Sequence, residues 1–102
     1  MRREIQDGAA DGGDSMKLVA RPVDAIVVFK GAERPLPYKF RFTDDRGESC
    51  EIMVGKIICV DERHVAGAKS LIYDCQSLIG DIERRYQLKY LVGECRWILY
   101  KI

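Results

Sequence analysis

The chain has 102 residues, 47% hydrophobic and 32% charged, with a formal net charge of +1. That length admits one small domain with a thin core, burying only about 60% or a little more of its unfolded surface. The near-neutral balance argues against a general polyanion binder, no apolar run is long enough for a membrane span, and no apolar signal-peptide core opens the chain. The expected compartment is the cytoplasm, and the four cysteines are expected there as thiols rather than as a disulfide framework.

Residues 1–15, MRREIQDGAADGGDS, are polar and glycine-rich with almost nothing to bury. They are predicted to be a disordered leader ahead of a single β-barrel-like domain at 16–102. Their two arginines face four acids, a balance of −2, which leaves +3 on the remainder. Asp11 to Ser15 back-translate to a purine-rich run like a bacterial ribosome-binding sequence placed before an ATG. Met16 is therefore the expected native start.

From Met16 onward, short β-branched and aromatic runs alternate with Gly, Pro and Asp clusters, and no helical periodicity is sustained. Six strands are predicted, at 17–30, 37–44, 48–61, 69–79, 83–92 and 96–102. Arg34-Pro35-Leu36-Pro37 is a linker or an edge entry, because two of its four residues lack an amide hydrogen. Asp44-Asp45-Arg46-Gly47 fits a type I turn closed by a left-handed glycine. It pairs Phe42 with Cys50, Phe40 with Ile52 and Tyr38 with Val54, apolar with apolar. After Gly55 the alternation fails, as it does over Ala25 to Phe29. Either those segments are covered on both faces or Gly55 marks a bulge where the strand bends.

Cys59 to Ser70, CVDERHVAGAKS, gathers the only histidine, a cysteine and two acids. It is read as a charged connection between strands. Five residues of extended chain put Cys59 and His64 on opposite faces and out of hydrogen-bond reach. Farther on, Gly80-Asp81 and Gly93-Glu94 suit two-residue hairpins with glycine first, the type II′ requirement. They pair Ile79 with Ile82, Cys75 with Tyr86, Tyr73 with Leu88, Tyr90 with Trp97 and Leu88 with Leu99. One face then collects Leu71, Tyr73, Cys75, Ile79, Ile82, Tyr86, Leu88, Tyr90, Val92, Trp97 and Leu99. Tyr90 and Trp97 are thus core mass before they are a recognition platform. The fold class is all-β, a mostly antiparallel meander forming a small barrel or rolled sheet.

No metal, cofactor or catalytic set is predicted. The cysteines at 50, 59, 75 and 95 are never close in sequence, unlike zinc knuckles. Cys50 and Cys75 read as buried, and Cys95 at a hairpin edge is the candidate reactive thiol. The acids lie in turns, where aspartate bonds its own backbone. No glycine loop leads into a helix to cradle a phosphate. The face opposite the core carries the rows Gln76-Arg85-Ile102, Asp74-Gln87-Tyr100, Ile72-Lys89-Ile98 and Leu91-Arg96. Its mix of aromatic, aliphatic and basic side chains makes Arg85, Gln87, Lys89, Arg96, Ile98 and Tyr100 the candidate interaction surface.

The run from Pro37 to Trp97, through Phe40, Phe42, Asp45, Gly47, Ala66, Gly67, Lys69, Tyr73 and Cys75, resembles a family of small, uncharacterised all-β proteins from clostridia and related bacteria. This chain departs from the family in lacking a glycine pair in the connector. The resemblance implies an all-β fold and carries no activity. The expected function is a non-enzymatic interaction module whose partner is a protein or a second copy. Two alternatives stay open: a single-stranded nucleic-acid-binding barrel, and a small thiol enzyme using Cys59 or Cys95 with His64.

Overall fold

Seven strands account for most of residues 16–102, the part of the chain that this computed structural model describes. The expected leader at 1–15 lies outside the described residues. In chain order the strands are β1 (Leu18–Val28), β2 (Leu36–Thr43), β3 (Ser49–Met53), β4 (Lys56–Val65), β5 (Ala68–Ile79), β6 (Ile82–Leu91) and β7 (Arg96–Lys101), with a single 3-10 turn at Val92–Glu94. They form one sheet in the order β3-β2-β1-β7-β6-β5-β4, every pairing antiparallel.

The two outermost strands, β3 and β4, are consecutive in sequence. Laid flat, seven strands would hold their edges roughly 29 Å apart at ~4.8 Å per neighbour. The three peptide links from Met53 to Lys56 reach only about 11 Å. The sheet therefore has to roll until its edges approach, and the result is a half-barrel. Gly55 sits at the crossing, and the expected 48–61 strand is broken there into β3 and β4, which makes seven strands where six are predicted. A side chain at Gly55 would start 3.0 Å from the Gln76 carbonyl oxygen, so any larger residue would press the crossing away from β5. The Gly55 amide donates to Ser77 Oγ at 3.0 Å, and Ser77 Oγ in turn contacts the Tyr86 hydroxyl at 2.6 Å.

The predicted registers hold through three hairpins. Phe42 faces Cys50 and Phe40 faces Ile52 around a turn in which Asp44 accepts from the Arg46 and Glu48 amides and Gly47 is left-handed at φ +83°. Cys75 faces Tyr86, Tyr73 and Leu99 face Leu88, and Tyr90 faces Trp97. Two of the turns differ in kind from expectation. At Gly80-Asp81 both central residues are left-handed, φ +58° and +66°, the type I′ pattern rather than II′. Between β6 and β7 the loop is four residues, 92–95, and the left-handed position is Cys95 at φ +53°, not Gly93. Both loops keep the parity of a two-residue turn, so the facing partners are unchanged.

Inside the roll, Tyr73, Cys75, Tyr86 and Leu88 are fully buried, with Phe40, Ile52, Leu71, Tyr90, Trp97 and Leu99 around them. Trp97 is the hub, its ring 4.7 Å from Tyr90 and 5.1 Å from Tyr73. The Tyr73 hydroxyl donates to the Pro35 carbonyl and so ties the 29–35 loop to the core. Ile82, expected on this inner face, is instead 64% exposed, because the β5–β6 tip runs past the core. Tyr38 also departs from expectation. Its carbonyl accepts from the Val54 amide at 2.9 Å as the register requires, yet its side chain is 51% exposed. The β1–β2 ladder shifts here, from Ile26 opposite Lys39 to Val27 opposite Pro37, and Tyr38 is left over in a bulge that turns it outward.

Candidate functional site

The six residues expected to form a contact surface do share the outer face of β6 and β7. Lys89 stands between Ile72 on β5 and Ile98 on β7, Leu91 faces Arg96, and Gln76 and Asp74 of β5 face Arg85 and Gln87. The row expected to end in Tyr100 ends in Lys101, because the β6–β7 ladder shifts between Gln87 and Leu88. These side chains are engaged with each other. Lys89 Nζ stands 4.9 Å over the Tyr100 ring, and Lys101 Nζ lies 5.4 Å from it. Gln87 donates to Asp74 at 3.1 Å, Arg96 pairs with Glu94 at 3.4 Å, and Ile72 is only 6% exposed. Arg85 and Arg96 are exposed, while Gln87, Lys89, Ile98 and Tyr100 are half-buried. A ring already flanked by two ammonium groups is a poor platform for a stacked base.

The stretch from Cys59 to Ser70 is strand and tight turn rather than an extended connection. Asp61 to Val65 continue β4, and Ala66-Gly67 form a two-residue turn with φ +51° and +81°. His64 lies opposite Lys69, five positions along β4 from Cys59, and contacts Glu62 at 3.7 Å. Cys59 lies opposite Asp74, and its thiol donates to the Asp74 carboxylate at 3.3 Å. That hydrogen bond, then burial and the carboxylate charge, raise the thiol above its ordinary value, so the reactive thiolate is disfavoured. Cys95 is exposed, with its sulfur 3.8 Å from the Val92 carbonyl. Cys75 is buried and its thiol is pushed up to about 12 by burial. Among the described residues, no three His, Cys, Asp or Glu side chains converge as metal ligands. No helix there is long and apolar enough to cross a membrane.

An exposed apolar face lies on the other half of the sheet. On the outside of β1–β3, Ile26, Lys39 and Met53 form one row and Asp24, Arg41 and Glu51 the next. Ile26 is 58% exposed and Met53 54%, and Val28 and Tyr38 continue the apolar surface at the same end of the strands. The Lys39 ammonium turns aside to Glu51 at 2.9 Å, and Arg41 turns to Asp24 at 2.8 Å, which leaves the apolar stems and tips facing outward. The doubly apolar run Ala25 to Phe29 is visible in the sequence, but alternation alone does not mark which face stays uncovered.

No protein-family model, curated protein or solved structure matches this chain.

Proposed function

We propose that this protein is a non-enzymatic interaction module of the cytoplasm that docks a protein through the outer face of β1–β3. The observation that carries the reading is the apolar surface of Ile26, Val28, Tyr38 and Met53, rimmed by paired ions. An apolar centre within a polar rim is the usual anatomy of a protein contact. The Arg85–Lys89–Arg96 surface ranks second, since its side chains already satisfy one another. The thiol-enzyme reading ranks last, because Cys59 is held protonated by Asp74 and His64 stands at the far end of β4. Membership in the uncharacterised all-β family resembled by Pro37 to Trp97 belongs to the same proposal and adds no activity.

Paired variants of the full chain test it. Ile26→Glu with Tyr38→Ser should abolish retention of the protein that co-purifies with the wild type, its own copy included. Arg85→Ala with Lys89→Ala and Arg96→Ala should leave retention intact. The reverse pattern moves the contact to β6–β7. Oligonucleotide binding through that surface, falling steeply with added salt, would make the half-barrel a single-stranded nucleic-acid binder instead.

A further inference from the structure

Beside Ile26 the β1–β3 face opens into a depression of about 210 Å3, ringed by Asp24, Lys39, Arg41 and Glu51 and reaching Phe40. Next to it Tyr38 projects outward from its bulge. A face that carries both a hollow and a projecting apolar side chain can meet a twofold copy of itself, each copy supplying the knob and the hole. The charges around the hollow are two acids and two bases, paired within the chain at 2.8 and 2.9 Å. The rim is therefore neutral. Identical faces approach without repulsion, and a strongly charged partner finds no excess charge to complement. Ile26, Val28, Tyr38 and Met53 are 58, 41, 51 and 54% exposed, so each copy brings several large apolar side chains to the contact.

We propose that the outer face of β1–β3 binds the same face of a second copy, giving a twofold homodimer. The inference rests on the docking-face reading above and names its occupant. Sedimentation equilibrium of the full chain from micromolar to millimolar concentration tests it. The expected result is twice the chain mass at the upper end, with the dissociation constant raised at least about tenfold by Ile26→Glu and by Met53→Glu. Both positions are more than half exposed, so thermal unfolding of the variant monomers should match the wild type; that control separates lost contact from lost fold. A wild-type chain that stays monomeric throughout overturns the second copy, while the docking face itself is judged by retention of a different protein in the paired-variant capture. A dimer that survives both substitutions and dissociates on Ile98→Glu overturns the proposal as well.

Discussion

Ser77 Oγ holds two contacts at once: it accepts from the Gly55 amide and shares a proton with the Tyr86 hydroxyl. Removing it leaves both partners short in a site that is 2% exposed, whereas Tyr86→Phe leaves only one group unmatched. Ser77→Ala is therefore expected to lower stability by about 2 kcal/mol and Tyr86→Phe by about 1 kcal/mol. Denaturant titrations of the two variants check the ranking, and a reversed order would show that the crossing does not depend on the serine. The thiols make a second case at this scale. Cys95 is exposed and Cys75 is buried with a raised pKa, so a thiol reagent should modify Cys95 long before Cys75. Cys59 is exposed too, yet its proton is held by Asp74. Asp74→Asn removes the charge that disfavours the thiolate, and labelling of Cys59 at pH 8 should speed up severalfold. An unchanged rate would mean that the Asp74 charge does not control this thiol.

At the scale of elements, the turns decide what a sequence reader can recover. Asp44 to Gly47 and Gly80-Asp81 carry chemistry that fixes register, and the aromatic partners Phe40 and Tyr86 followed from counting across them. The 92–95 loop shows the limit. A left-handed Cys95 costs only about 1–2 kcal/mol, so glycine content did not mark the position, while the equal parity of two- and four-residue loops kept the pairing right. Tyr38 was misplaced because Pro37 lacks the amide that would continue the β1–β2 ladder, and the resulting bulge turns the next side chain over. The apolar outer face of β1–β3 was illegible for another reason. Alternation separates two faces of a strand but does not say which neighbours cover them. Ala66 offers a test of the turn physics. With φ at +51° before a left-handed Gly67, it occupies a type I′ position that asparagine fills more readily. Ala66→Asn should raise stability by about 0.5–1 kcal/mol, read as a higher urea midpoint. A lower midpoint would count against a type I′ turn there.

For the whole molecule, the short Val54–Gly55 crossing forces one concave interior to hold the buried aromatic side chains, and the hydroxyls and thiol trapped there link folding to alkaline pH. Burial pushes the phenols of Tyr73 and Tyr86 from 10.0 up to about 12, and the Cys75 thiol from 9.0 up to about 12. Once unfolded, the chain ionises these groups at their ordinary values, so between pH 9 and 12 it sheds protons that the folded chain retains. Each raised pKa therefore contributes stability that is present in full below its unfolded value and drains away as pH climbs toward the folded one. The urea midpoint should stay level up to about pH 9, begin to fall as the thiol's unfolded value is passed, and fall more steeply above pH 10 when the two phenols join. Replacing Tyr86 with Phe removes one of the three ionisations, so its midpoint, although lower at pH 8, should decline less steeply above pH 10. Parallel slopes for wild type and Tyr86→Phe would mean that this phenol meets water in the folded state and that the roll is more open than its contacts indicate.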